Sequence, residues 1–243
     1  MTGVIALGQL EIRRALRNRR IMFFTILYPV MLFLLSAGSA KGKTVPGTSI
    51  PYVDYFLVAY ASFGVIAASL NNNAMRIAQE RKEGWIRQLR LTAAPSYGYV
   101  SSKVAASLIV VIPAIAVTFL VGTTQGVKLD ASQWISAALT IWLGSLAFTA
   151  LGVALGYGLP QDAVQPVTLI IYVGGSFLGG QFYAVSGTMA TVGKCLPTYW
   201  VREIALEVIS KTPVSWNGVA VLAAWVVGCA GLAAFMYQKR AED

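Results

Sequence analysis

The sequence predicts an all-α integral membrane protein. It should have six transmembrane helices, an amphipathic helix ahead of the first, and short helices between spans 2 and 3 and between spans 5 and 6. Three observations carry this reading. Apolar stretches of spanning length occur at 21–39, 53–74, 104–122, 134–157, 163–182 and 214–236. A hydrocarbon core about 30 Å thick needs about 20 such residues per helix. Hydrophobic residues make up 56% of the chain and charged residues 12%, against about 25% charged in a soluble domain. The basic residues also gather on one side of the spans. A single stretch of this kind would fit a buried core helix, but six leave no room for that reading, or for a separate soluble domain within 1–243.

Charge placement sets the orientation. Arg13, Arg14, Arg17, Arg19 and Arg20 precede the first span. Arg76, Arg81, Lys82, Arg87, Arg90 and Lys103 lie between the second and third, and Lys239 and Arg240 come after the sixth. The opposite face holds Lys41, Lys43, Lys128, Lys194, Arg202 and Lys211. Cytoplasmic loops are enriched in Lys and Arg, so both termini are expected in the cytoplasm and the chain in the cytoplasmic membrane. The net charge of +9 thus reports topology, and no nucleic-acid partner is expected.

From the N-terminus onward, each element has its own signal. Residues 1–20 read as an uncleaved interfacial helix, with Leu7, Leu10, Ala15 and Leu16 on the membrane and the arginines at anionic headgroups. Gly42, Pro46, Gly47 and Pro51 make 40–52 irregular. Pro29 and Pro113 sit inside spans, where proline removes a backbone hydrogen bond and can kink the helix. Asn71, Asn72 and Asn73 end the second span together, and amides at the hydrocarbon edge want partners or water. An inner vestibule would supply water. Gly175/Gly179 and Ser176/Gly180 form two small-xxx-small pairs on the fifth span, suited to close helix packing within the monomer or at a homodimer seam beside the transport path. Gly152 and Gly156 are a weaker second case. Phe23, Phe24 and Tyr28 are candidates to line a route. Residues 199–210 have the apolar spacing of a helix, expected at the outer interface with Tyr199 and Trp200 in the aromatic belt.

Several function classes are excluded or weakened. The chain has no histidine, so a Ser-His pair cannot exist and Gly174-Gly175-Ser176 is no nucleophile motif. The two cysteines, Cys195 and Cys229, make neither a zinc site nor an expected disulfide. Gly42-Lys43-Thr44 resembles a phosphate loop, but the pattern needs glycine at 37, where Ala37 stands. No catalytic, cofactor or metal residue is therefore assigned. The acidic residues all lie outside the spans or at their edges. Proton relays are built from ionisable groups inside a membrane, so energy for uphill movement is expected from a partner on the cytoplasmic face. A self-contained secondary transporter would need an internal ion site. The lack of internal charge also suggests an apolar or amphipathic cargo: a drug, lipid or natural product.

Residues 76–95 hold the main functional signal. The second span runs into a polar helical turn through Glu80 and Arg81, and Gly84 permits a break. A second short helix begins there and Pro95 stops it. Within it Trp85, Ile86 and Leu89 share one face and Arg87 and Arg90 another. Such a helix either rests on headgroups or inserts into a groove on a soluble protein, with Trp85 and Leu89 as anchors and the arginines as rim.

Glu80-Arg81-Lys82-Glu83-Gly84-Trp85, with Leu89, Leu91 and Pro95 after it, resembles the Glu-Arg-x-x-Gly segment of the membrane subunits of ABC-2-type exporters. The resemblance extends over the whole chain: the Arg-rich lead ending at Arg19-Arg20, Phe177-Leu178-Gly179-Gly180-Gln181-Phe182 running into Leu196-Pro197, the length and the six spans. It implies a dimer of six-helix bundles seated on two copies of an ABC ATP-binding subunit. ATP and Mg would be bound by that separate chain, so this one would be a permease and not an enzyme. It also implies that Glu80, Arg81, Glu83, Gly84, Trp85, Arg87, Leu89 and Arg90 form an ATPase-coupling helix, and that 183–210 resembles partly re-entrant helices capping the exit. Gly175, Ser176, Gly179, Gly180, Phe23, Tyr28 and Asn72 are the dimer or pathway candidates.

Overall fold

The computed structural model describes residues 2–17, 19–85, 88 and 96–242. These form α1 (Thr2–Arg17), α2 (Arg19–Ala40), α3 (Tyr52–Lys82), α4 (Ser96–Val110), α5 (Ile112–Thr124), α6 (Ala131–Gly158), α7 (Gln161–Leu178), α8 (Gly187–Gly193), α9 (Pro197–Ile209) and α10 (Trp216–Glu242). Among the described residues there are no strands, only an isolated bridge between Thr44 and Pro51.

Tyr52–Lys82, Gly98–Thr124, Ala131–Gly158 and Trp216–Met236 are long and apolar enough to cross a membrane. The apolar part of α2, Thr25–Ala40, is shorter. Over the fifth expected span, 163–182, the chain forms α7, which is not among these four long apolar helices. That helix starts at Gln161 with Asp162 in its first turn and carries an internal proline, Pro166, as α2 carries Pro29. It ends at Leu178 because the next residues turn: Gly180 sits at φ +73°, a conformation open to glycine. Pro113 marks a local interruption. α4 and α5 form one apolar run broken at Val111, and Pro113 lies in the first turn of the resumed helix. Pro29 is buried against α3, where a Cβ built on Gly64 would stand 2.7 Å from its ring.

α3 is the central helix, packed by α2, α5, α6, α7 and α9 and by α4 at its far end. Its closest partner is α6. A Cβ on Gly152 would lie 2.6 Å from the Leu70 carbonyl oxygen, and one on Gly156 would lie 2.8 Å from Ile77 Cβ. Small residues are what let two helix backbones approach this closely. Around this contact, Leu57, Phe63, Ile66, Leu70, Ile141 and Phe148 are sealed from solvent. α10 is the opposite case: it packs on α6 and α9 and leaves most of its surface outward, including Trp216 and Val227.

The segment between α7 and α10 is re-entrant relative to α6. Val201 meets Gly144 halfway along α6, whereas the Ile209 carbonyl accepts a bond of 2.5 Å from Gln133 near the α6 N-terminus. α9 therefore climbs antiparallel to α6, from mid-depth to its end. Of the two expectations for this segment, an interfacial helix or a partly re-entrant one, this packing is in accord with the second. Tyr199 and Trp200 are buried, and so is Arg202, which the charge pattern placed on the outer face. Trp200 fills the space left by Gly218 of α10, a fit that hydropathy along one segment cannot reveal.

At Gly152 the neighbouring atoms are backbone, so a larger side chain must push α3 and α6 apart. Gly152→Val should cost about 1–3 kcal/mol and lower the midpoint of thermal unfolding in detergent by several degrees. Gly38→Val, where a Cβ meets nothing within 4 Å, is the matched control and should leave that midpoint unchanged.

Candidate functional site

The end of α3 holds the most chemically loaded arrangement in the protein. Glu80 is buried there, and its carboxylate accepts from Lys103 Nζ of α4 at 2.6 Å and from the Tyr99 hydroxyl. Lys103 also donates to Glu11 of α1 at 3.0 Å. Arg76, one turn before Glu80, donates to Glu11 at 2.7 Å and lies 3.9 Å from Glu80. Two carboxylates and two cations thus cancel. Lys103 and Glu11 are 2% and 0% exposed, a burial that unpaired charges could not sustain. The cluster fastens α1 and α4 to the last turns of α3.

The next residue fastens α3 to α6. Arg81 Nη1 donates to the carbonyls of Gly156, Tyr157 and Leu159 at 2.7, 2.8 and 3.0 Å. The last carbonyls of a helix lack internal partners and carry its negative dipole end, so a guanidinium is well matched to them. The helix then stops as its glycine predicts: Gly84 adopts φ +72°, and its N–H donates to the Arg81 carbonyl at 3.1 Å.

Trp85, after this turn, folds back onto the protein. It packs beside Ile77, Tyr99, Val153, Ala154, Tyr157 and Ala233, with Leu7 and Met236 at the edge. The Arg14 guanidinium stands 5.3 Å from the Trp85 ring centroid. Its neighbours are therefore groups of its own chain. The side chains of this elbow that face outward are Gln79, Lys82, Glu83 and Gln88. Arg87, Leu89 and Arg90, with Ile86, Leu91 and Pro95, lie outside the described residues.

The N-terminal helix is likewise repositioned. Its inward stripe is Leu7, Glu11 and Ala15, packed toward α4, while Leu10 and Leu16 are exposed. Of the four apolar residues expected to share a membrane-facing side, Ala15 is buried and Leu7 half-buried, and only Leu10 and Leu16 are exposed. Sequence reasoning missed Glu11. The available signal was an acid, spaced four residues from apolar neighbours, in an otherwise basic lead. Arg76 and Glu80, an i,i+4 pair of opposite charge, were a second.

The pathway candidates separate. Ser176 is buried, and the glycines beside it are occupied by α9. Thr198 Oγ1 donates to the Gly175 carbonyl at 2.7 Å and would collide with a Cβ on Gly179. A Cβ on Gly180 would collide with Arg202 Nη1. Arg202 donates to the Gly180 carbonyl at 2.9 Å and to Tyr55 Oη of α3 at 2.8 Å, and Tyr55 donates to the Tyr183 carbonyl at 2.9 Å. The small-residue face of α7 is thus filled within the monomer. The α6 pair Gly152/Gly156 is likewise filled by α3.

Asn73 is also internal, donating to Ser107 of α4 at 2.5 Å and to the Ser69 carbonyl at 2.7 Å. The expectation that all three asparagines face an inner vestibule is therefore corrected for Asn73, while Asn71 and Asn72 are half-buried. Phe23 and Tyr28 remain exposed on α2, and the Tyr28 ring centroid is 5.8 Å from that of Phe63, which stacks on Tyr172 of α7 at 4.5 Å. Both cysteines are free thiols.

The sequence has known relatives. The sequence pattern of the family described as "ABC-2 family transporter protein" matches residues 43–236, from the loop before α3 into α10. The chain belongs to the ABC-2 transporter family. A Bacillus subtilis (strain 168) protein described as "Putative transport permease YvfS" is 24% identical over 225 residues, covering 89% of each chain. The matched region of this ABC-2 family member holds Glu80, Arg81, Gly84 and Lys103, three of them in the elbow itself. Glu11, which completes the ionic cluster, lies outside it.

Removing one charge from the cluster should leave its counterpart buried and unpaired, at about 3–5 kcal/mol. Glu11→Leu and Lys103→Met should each lower thermal stability sharply. The double variant should recover part of that loss, because Arg76 and Glu80 remain as a neutral pair. A double-mutant cycle on unfolding midpoints checks this.

Proposed function

We propose that this chain is the membrane permease subunit of an ATP-driven exporter, and that its elbow at Gln79–Gln88 is the surface gripped by a separate ATP-binding subunit. Family membership supports a transport role. The elbow's construction supports the coupling role and is the observation that carries it. Glu80 binds it to α4 through Lys103, which in turn holds Glu11 of α1, and Arg81 binds it to α6, so a displacement applied outside is delivered to four helices together. Its exposed rim of Lys82, Glu83, Gln79 and Gln88 is polar and suits a soluble partner. Arg87, Leu89 and Arg90 extend this rim in sequence. Trp85 acts from behind, as the anchor that keeps the elbow on its own bundle.

In this reading two copies of the chain sit on two copies of the ATP-binding subunit, which binds ATP and Mg. Both termini and the elbow face the cytoplasm of a cell membrane, in accord with the basic residues of α1 and the elbow. α2, α7 and the four long apolar helices make six passes. Closure of the ATP-binding subunits drives a rigid-body or hinge movement of the spans. The cargo is apolar or amphipathic and moves outward past α2 and α7, where Phe23, Tyr28 and Phe177 offer exposed aromatic surface and Asn72 a polar foot. The re-entrant α8 and α9 cap the exit through Arg202, Tyr55 and Gly180.

Reconstitution tests the reading. In liposomes the chain alone should move nothing uphill, and the complex with its ATP-binding subunit should do so only with ATP and Mg. Uphill movement by the lone chain would favour a self-contained secondary transporter instead. Reversing both rim charges, Lys82→Glu with Glu83→Lys, should weaken recovery of the ATP-binding subunit about tenfold, with an unchanged unfolding midpoint for the permease. Normal recovery would remove the elbow from the interface.

A further inference from the structure

A second polar feature lies at the other end of α3, about 40 Å from Glu80 at 1.5 Å per residue. A cleft of about 310 Å³ opens where α2 and α5 end and α3 begins. Lys41 enters it from the loop after α2, Lys128 from the loop after α5, and Asp54 from the first turn of α3, with Gln125 beside them. Gly42 and Gly126, at φ +74° and +89°, turn the two loops and leave open space where side chains would stand. The cleft thus combines elements from three parts of the chain.

Among the described residues Lys41, Lys128 and Asp54 have no ion-pair partner. Both lysines are exposed, and Asp54 is half-buried. Two ammonium groups sharing a concavity repel each other, and an anion between them removes that repulsion. A half-buried carboxylate in turn favours a cation. One ligand meets both demands if it carries an anionic and a cationic group a few bonds apart. The position narrows the chemistry. The apolar runs begin at Tyr52 and end at Thr124, so the lining residues straddle the boundary where lipid headgroups lie. The volume is at the small end of ligand sites.

We propose that this cleft binds a phosphate ester bearing a primary amine, the chemistry of a phosphoethanolamine headgroup. Lys41 and Lys128 hold the phosphate, and Asp54 accepts from the ammonium. A quaternary choline lacks the N–H groups for that last contact, so ethanolamine is preferred. The site is independent of ATP coupling and stands whether or not the elbow docks an ATP-binding subunit.

The test uses the full chain in detergent, titrated with glycerophosphoethanolamine, glycerophosphocholine and inorganic phosphate, with the unfolding midpoint as readout. In a second arm the chain sits in nanodiscs of phosphatidylethanolamine or phosphatidylglycerol, and retained lipids are counted by native mass spectrometry. Wild type should respond to the ethanolamine compound at lower concentration than to choline or phosphate, and raising salt should weaken the response. Lys41→Ala with Lys128→Ala should weaken it about tenfold. Asp54→Asn should abolish the ethanolamine preference while phosphate binding persists. A response to the lipid alone supports the site and identifies a lipid as its source. A salt-independent response in wild type, titration of the double lysine variant like wild type, or equal retention of both lipids would overturn the proposal.

Discussion

The constraint on which one end of the helical bundle depends is the neutralisation of charge at the end of α3. Two carboxylates, from α1 and α3, and two cations, from α3 and α4, share a small volume with Lys103 and Glu11 sealed from solvent. Burying any one alone would cost several kcal/mol, so the three helices must arrive together. Arg81 adds a fourth by occupying the carbonyls at the end of α6. The outcome is a helix terminus tied by ion pairs and hydrogen bonds to three neighbouring helices.

The middle of the bundle is governed by approach distance. Gly152 and Gly156 let α6 lie against the α3 backbone, and Gly144 lets α9 enter beside α6. With α9 in place, its arginine must be satisfied away from water. Tyr55, the Gly180 carbonyl and Glu203 do this for Nη1 and Nη2, with Arg202 Nη2 to Glu203 at 2.7 Å, whereas the buried Nε has no hydrogen-bond partner among the described residues. The aromatic rings of Tyr55 and Tyr199, 5.3 and 4.9 Å from the guanidinium carbon, complete its surroundings. The same small-residue pattern that suggested a subunit seam is consumed inside the subunit, because the re-entrant helix offers Thr198 at the matching height.

Much of the fold was legible because hydropathy and charge are local. The long apolar helices, the break at Gly84 and the helix near 199–210 come from residue type and spacing. The direction a helix faces was not legible. Trp85 has the composition of a protruding anchor, yet its ring lies among residues contributed by α1, α3, α4, α6 and α10. Glu80 lies within the motif that pointed to a partner, yet its carboxylate is spent on Lys103 and Tyr99. Both are outcomes of packing between segments far apart in the chain.

The sequence by itself determined that this is a helical membrane protein of the ABC-2 kind, with a glycine-broken elbow after the second long apolar stretch. Transfer of apolar side chains and the conformational range of glycine act on a few neighbouring residues, so they can be read from order alone. Only the tertiary structure decided which charges meet, that α9 plunges inward, and that the small faces of α6 and α7 are filled from within. Those outcomes depend on pairings across up to 147 residues, as between Tyr55 and Arg202. Each becomes favourable only once the other partner is already in place.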